Sequence, residues 1–161
     1  MSTNLLNQYL SEAVKGNAEA AFKAGKFMAN EGLYNEVAIQ SRYQEAAEAG
    51  FTEAQKELGA LGLCGRLITD DSTAFNISYY NDYNIAMEWL KKAAHNGDAE
   101  STIVVEAVEK YGTSIIDNAR AAIEFYKENL CSESFTASPA VILFEVTMQY
   151  LKLSTANKVI A

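Results

Sequence analysis

The side chains best suited to catalysis or metal binding are few in this chain, and their spacing does not bring them together. His95 is the only histidine, which excludes a metal site built on two histidines. Cys64 and Cys131 are too few and too widely spaced for a disulfide framework or a zinc site. The pair Asp70-Asp71 lacks the alternating oxygen ligands and closing glutamate of a calcium loop. We therefore expect no catalytic residue, no metal, no cofactor and no enzymatic activity.

Charge restricts the classes of partner that this chain can bind. It carries 13 Lys and Arg against 21 Asp and Glu, which gives a net charge of -8 at pH 7. Nucleic acids and anionic membrane surfaces both attract a basic face, so neither is expected as a partner. A basic protein remains a candidate partner, and the alternative is that acidity serves only solubility. The N-terminus does not resemble a secretory signal and cysteine is scarce, which together predict a cytoplasmic protein.

Helix-forming residues dominate the chain, and glycines separate its segments, since Pro139 is the single proline. No stretch alternates apolar and polar residues for long enough to indicate a strand. The pattern predicts an all-α fold of eight helices and a frayed tail after Leu153. We place the helices near residues 3–15, 18–31, 35–49, 52–64, 81–96, 99–111, 116–131 and 139–153.

A short pattern that begins with glycine occurs three times. It starts at Gly16, Gly50 and Gly97, at intervals of 34 and 47 residues. The glycine ends a helix, because the left-handed backbone at this position favours glycine. Asn17 and Asp98 follow two of these glycines and are suited to cap the next helix. The chain is therefore predicted to be one domain of repeated helix pairs.

Small and apolar residues predict where the helices of a pair meet. Gly25 and Gly59 lie nine residues after the first two pattern glycines, where they would allow close helix approach. The stripe Ile85, Ala86, Trp89, Leu90 and Ala93 has the helical period of a buried face. Phe125 and Tyr126 are expected to join Trp89 in the core between helices.

The stretch 82–100 and the hexapeptide 54–59 resemble the second helix, glycine turn and first helix of the Sel-one-like repeat family, a relative of the tetratricopeptide repeats. The resemblance extends over roughly residues 12–131, although Glu106 replaces the inner glycine in the third copy. It implies an α-solenoid of about three stacked helix pairs whose usual role is to hold other proteins. The implied repeats are residues 16–49, 50–96 and 97–131, with end helices at 3–15 and 139–153 capping the stack.

Two surfaces are candidates for holding a partner. The second copy is longer than the first around residues 66–81, and tyrosines there would provide contact area at low entropic cost. This segment and its edge supply Asp70, Asp71, Tyr79, Tyr80 and Tyr83. The resemblance also implies a concave surface lined by the first helix of each pair, with candidate residues Glu19, Lys26, Glu53, Lys56, Glu100 and Tyr111. The alternative for the segment 66–81 is a loop that binds no partner. The alternative for the glutamates is that they only complement the dipoles of their helices.

Small size, acidity and the resemblance together predict a protein–protein interaction module. The most concrete form is a cytoplasmic immunity- or inhibitor-type protein that binds and neutralises a basic, toxin-like enzyme. A scaffold or regulatory adaptor is the alternative. A β-lactam-binding hydrolase is a third possibility, but the relatives linked to that activity carry a regular cysteine pair in each repeat, and this chain does not.

Overall fold

The computed structural model describes residues 2–31, 36–63, 79–129 and 138–160. Within these ranges every regular element is a helix, so the predicted all-α fold is confirmed. The eight helices are α1 (Ser2–Val14), α2 (Ala18–Glu31), α3 (Glu36–Glu48), α4 (Thr52–Leu63), α5 (Tyr79–His95), α6 (Ala99–Tyr111), α7 (Thr113–Asn129) and α8 (Pro139–Ile160).

The last helix is longer than the sequence pattern indicates. The other seven begin and end within three residues of their predicted limits. Instead of fraying after Leu153, α8 continues to Ile160. One residue beyond Leu153, the hydroxyl of Ser154 donates a hydrogen bond of 3.3 Å to the hydroxyl of Tyr111 on α6. The expectation of a frayed tail was therefore wrong.

The junctions α1–α2, α3–α4 and α5–α6 share one backbone conformation. Gly16, Gly50 and Gly97 have positive φ angles of 95°, 93° and 99°. At the second junction, Gly50 N–H donates to Ala47 O and the next N–H donates to Ala46 O, both at 3.0 Å. The same two hydrogen bonds recur at the other junctions, which makes all three Schellman motifs. The predicted glycine turns are confirmed.

The helix that follows each junction begins in one of two ways. Asn17 Oδ1 accepts a hydrogen bond of 3.1 Å from Ala20 N–H, and Asp98 Oδ2 accepts one of 2.8 Å from Ser101 N–H. Both predicted caps are thus confirmed. At the second junction Phe51 stands in the cap position, and its ring packs 5.3 Å from the ring of Phe22 on α2, measured between centroids. An aromatic contact therefore replaces the polar cap there.

Gly25 and Gly59 are the points of close approach within the first two helix pairs. A Cβ atom added to Gly25 would lie 2.7 Å from Cε1 of Tyr43, across the contact between α2 and α3. A Cβ atom on Gly59 would lie 2.5 Å from Cγ of Leu90, across the contact between α4 and α5. Both distances are shorter than van der Waals contact. The predicted role of these two glycines is confirmed.

The buried side chains of the described residues form a core centred on α1–α4, a larger one spanning α4–α8, and a small cluster of Leu6, Ala24 and Met28 between α1 and α2. Consecutive helices pack together, except that α8 also turns back onto α4 and α6. Leu143 and Thr147 of α8 are completely buried there. The predicted C-terminal end helix therefore covers apolar surface in the middle of the chain as well as α7.

Two residues that the sequence pattern assigns to the core are exposed. Ile85 retains 39% of its accessible surface and Phe125 retains 60%. Phe125 lies two residues after the buried Ile123, which rotates it by about 200° to the opposite side of α7. Trp89 and Leu90 are buried as predicted, at 9% and 1% exposure. The apolar stripe of α5 is therefore narrower than predicted, and Phe125 does not belong to the core.

Candidate functional site

Three of the predicted binding residues occupy equivalent positions in successive helices. Glu19, Glu53 and Glu100 each lie in the first turn of a helix that follows a glycine junction, in α2, α4 and α6. Glu19 and Glu53 are exposed and Glu100 is half-buried. The positive end of the helix dipole stabilises a carboxylate at this position. The repeated junction thus presents a carboxylate at the same place in three units.

The three carboxylates differ in their ion pairs. Glu19 Oε1 lies 3.0 Å from Lys23 Nζ one turn later, and both side chains are more than half exposed. Glu100 Oε2 lies 3.3 Å from Lys56 Nζ. Glu53 makes no ion pair with any residue that the structure describes. The exposed pair of Glu19 with Lys23 contributes little free energy, so Glu19, like Glu53, remains available to an incoming cation.

Lys26, also predicted for the binding face, is held within the fold. Its Nζ donates a hydrogen bond of 2.9 Å to Glu57 Oε1, which joins α2 to α4. The side chain of Glu57 is 6% exposed, whereas that of Lys26 is 35% exposed. Removal of Lys26 would leave a buried carboxylate without its counter-ion, which is costly. Lys26 therefore has a structural role, and its partner Glu57 was not singled out by the sequence pattern.

Lys56 is likewise paired across two helices. Its Nζ lies 3.4 Å from Asp98 Oδ1 and 3.3 Å from Glu100 Oε2. Burial by itself would lower the pKa of Lys56, but the charges and hydrogen bonds of Asp98 and Glu100 outweigh it and raise that pKa above 10.5. Burial raises the pKa of Asp98, but hydrogen bonds from Ser101 and the charge of Lys56 bring it below its usual value. The cluster therefore carries two carboxylates for one cation.

A buried amide next to this cluster joins α4 to the ends of α3 and α5. Asn96 Nδ2 donates a hydrogen bond of 3.0 Å to Gln55 Oε1, and Gln55 Nε2 donates one of 3.2 Å to the carbonyl of Ala47. Gln55 is only 5% exposed. The sequence pattern did not indicate this contact, since an amide in the first turn of a helix, such as Gln55, or just after the end of one, such as Asn96, looks like an ordinary surface residue.

Two tyrosines of the candidate set pack within the fold. Tyr111 meets Tyr150 of α8 edge to face, with ring centroids 5.2 Å apart. Its hydroxyl also accepts the hydrogen bond from Ser154. Tyr83 is half-buried against the core that spans α4–α8. The chain's own α8 thus covers part of the face to which Tyr111 was assigned.

A cleft lies between α4, α6 and α8, and a serine hydroxyl borders it. The lining residues are Lys56, Ala60, Leu90, Glu100, Ser101, Val104, Ala140, Leu143 and Phe144. Ser101 is 1% exposed, and its Oγ has no hydrogen-bond partner in the described part of the chain. Lys56 is the only basic side chain in this lining, and its raised pKa keeps it protonated. Protonated Lys56 cannot accept the serine proton, and Glu100, the other charged side chain of the lining, is paired with Lys56.

Of the segment 66–81, the structure describes residues 79–81. Asp70 and Asp71 lie outside the described residues, as do Cys64 and Cys131. Tyr79 and Tyr80 form the first turn of α5. His95 is exposed at the end of α5. Within the described ranges, no three His, Cys, Asp or Glu side chains are grouped as they would be around a metal ion.

Comparison with protein-family models, with curated proteins and with solved structures finds no match to this chain. Across the described ranges, none of the helices combines the length and the apolar character that crossing a membrane would require. A function for this chain therefore has to be inferred from its own geometry and charge.

Proposed function

We propose that this chain is a cytoplasmic protein-binding α-solenoid of the Sel-one-like type that holds a basic protein partner. In its most concrete form it is an immunity- or inhibitor-type protein that covers a toxin-like enzyme. The observation that best supports this proposal is that the same helix–glycine–helix junction occurs three times in the described residues. The junction places Glu19, Glu53 and Glu100 at equivalent positions. A repeated junction with a repeated charge is the arrangement expected of a surface that extends over several units.

The solenoid part of the proposal is supported by contacts that recur between units. The contact of Gly25 with Tyr43 in the first pair has its counterpart in the contact of Gly59 with Leu90 in the second. Ion pairs then connect the first helices of neighbouring pairs, from Lys26 to Glu57 and onward through Lys56. Each unit in a stack of this kind is stabilised mainly by its neighbours.

The basic partner is supported by charge. The chain has a net charge of -8, which accelerates encounter with a cationic surface. Glu19 and Glu53 are exposed, and an arginine of the partner could replace Lys23 beside Glu19 at small cost, because exposed pairs contribute only about 0–1 kcal/mol. Bidentate arginine–carboxylate pairs would then fix the orientation of the partner.

The test combines affinity capture with two matched triple variants. The first variant is Glu19→Gln, Glu53→Gln and Glu100→Gln. The control variant is Glu88→Gln, Glu106→Gln and Asp117→Asn, which removes the same charge from other exposed positions. We expect the wild-type chain and the control to retain a stoichiometric basic protein from native extract, and the first variant to lose it. Thermal unfolding of each variant confirms that folding is intact.

The remaining outcomes separate the candidate functions. Recovery of chaperones alone, or equal loss of binding in both variants, would contradict a partner at these glutamates. A partner whose enzymatic activity is unchanged on binding would indicate an adaptor instead of an inhibitor. Turnover of nitrocefin by the purified chain, abolished by alanine substitution within residues 66–81, would replace binding with hydrolysis as the function.

A further inference from the structure

The outer side of α8 carries an exposed stripe of mixed apolar and charged residues. Val141, Glu145, Met148 and Lys152 are separated by four, three and four residues, so they lie on one side of the helix. All four are exposed, with Val141 at 46% and Met148 at 43%. The opposite side of α8 is buried against α4, α6 and α7. A helix with apolar residues on both sides normally has partners on both sides.

The two charges of the stripe have no ionic partner in the part of the chain that the structure describes. Glu145 and Lys152 are seven residues apart, which corresponds to about 10 Å along the helix axis and is too far for a direct contact. They lie on either side of Met148 at nearly equal distances. The stripe therefore has an acidic residue, Glu145, and a basic residue, Lys152, on either side of the apolar Met148.

Such a stripe is complementary to its own antiparallel copy. When two α8 helices cross about a two-fold axis near Met148, Glu145 of each copy faces Lys152 of the other. The two Met148 side chains then meet at the axis. A parallel arrangement would instead oppose like charges. Two-fold contacts of this kind close on themselves and produce a dimer, not a fibre.

We propose that α8 is the interface of a homodimer in which two copies of this chain pair through Val141, Glu145, Met148 and Lys152. The distribution of charge favours a second copy over a foreign partner. The chain has a net charge of -8, but α8 contains one glutamate and two lysines. It is therefore a region where two acidic copies can approach with little repulsion. The dimer interface does not include Glu19, Glu53 or Glu100, which lie on other helices, so it does not compete with the partner proposed above.

Sedimentation velocity of the full-length chain over a concentration series tests this proposal. We expect the wild-type chain to form a dimer. Glu145→Lys and Lys152→Glu should each weaken the dimer at least about tenfold, because each substitution acts twice across the axis. The double variant, which exchanges the two charges, should restore it. Glu106→Lys, an exposed charge reversal on α6, is the matched control and should dimerise as the wild type does.

A cysteine cross-link provides a readout that does not depend on affinity. In a background with Cys64→Ser and Cys131→Ser, Met148→Cys should form a disulfide-linked dimer on oxidation, while Glu106→Cys should not. A wild-type chain that remains monomeric throughout the concentration series would overturn the proposal. So would a double exchange variant that fails to restore a dimer lost in both single variants.

Discussion

The backbone of Gly59 in α4 lies directly against the side chain of Leu90 in α5. A Cβ atom at position 59 would come within 2.5 Å of Leu90 Cγ and 3.0 Å of the carbonyl oxygen of Ala86. The second obstacle is main chain, which cannot rotate away as a side chain can. The separation of α4 and α5 therefore depends on the absence of a side chain at this one residue.

Substitution of Gly59 should separate these helices and destabilise the fold. We expect Gly59→Ala to lower the free energy of unfolding by about 1–3 kcal/mol, the usual cost of overpacking a core. Urea unfolding followed by circular dichroism measures this loss. Leu90→Ala should itself cost about 2–5 kcal/mol. The double variant should cost less than the two single losses together, because the new methyl group occupies space that Leu90 vacates. Strict additivity would contradict the contact.

Substitution of Gly50 should act through backbone strain alone. Its φ is 93°, and a Cβ atom there would meet nothing within 4 Å. We expect Gly50→Ala to reduce stability by about 1–2 kcal/mol, because L-residues disfavour left-handed backbone. Gly50→Asn should cost less, since asparagine tolerates that region, and Gly50→Val should cost more. Thermal unfolding of the three variants tests the order. Equal melting temperatures for all three would show that this junction does not require a positive φ.

Trp89 supports the core centred on α1–α4 and is the single tryptophan of the chain. Lys92 Nζ lies over the indole, 4.4 Å from the ring centroid, which makes a cation–π contact with the face of the ring. We expect Trp89→Ala to cost about 3–5 kcal/mol through the cavity that it leaves. Trp89→Phe should cost less, because most of the ring volume remains. Chemical unfolding monitored by far-ultraviolet circular dichroism suits both variants, which lack the fluorophore.

We expect the free energy of unfolding to decrease in acid, partly because Asp98 becomes protonated. Its pKa is depressed below 3.8 in the folded chain, so its ionised form stabilises the fold at higher pH. That contribution is lost as the pH falls through the folded pKa. Asp98→Asn retains a capping side chain but removes the charge, so it should unfold less steeply in acid than the wild type. The free energy of unfolding, measured between neutral pH and pH values below 3.8, should show the two curves converging.

The alanine variant separates capping from charge at the same residue. Asp98→Ala removes the acceptor for Ser101 N–H as well as the charge, and loss of a cap costs about 1 kcal/mol. It should therefore be less stable than Asp98→Asn at neutral pH. Equal stability of the two Asp98 variants would show that the cap contributes nothing.

The contribution of Lys56 to the free energy of unfolding depends on pH in the opposite direction, because its pKa is raised in the folded chain. That contribution is present up to pH 10.5 and is lost as the pH rises through the folded pKa.

Local rules predicted most helix limits, the glycine junctions and the two polar caps. A positive φ at Gly97 or a cap at Asp98 depends on neighbours a few residues away, and those neighbours are visible in the sequence. The close approach at Gly25 was also predictable, because two equally placed glycines indicated contact between helices. The exposure of Phe125 was not predicted, because an aromatic residue near the end of a helix satisfies a core pattern and a surface position equally well.

The candidate site was only partly predictable. Sequence placed Glu19, Glu53 and Glu100 in their first turns because each follows a glycine junction at a constant distance. It did not show that Lys26 neutralises the buried Glu57. A charged residue appears the same in sequence whether it meets solvent or a counter-ion on a distant helix. The difference depends on how α2 and α4 pack.

By itself, the amino-acid sequence determined the all-helical class, the three junctions and the acidic charge, since hydrogen bonds between nearby residues and composition govern these properties. Only the tertiary structure decided the course of α8. Its apolar residues surround the helix, so no single face indicates what it should pack against. Contacts with α4 and α6, which end at Leu63 and Tyr111, well before α8 begins at Pro139, select the buried side. The same contacts leave Glu145, Met148 and Lys152 on the outside.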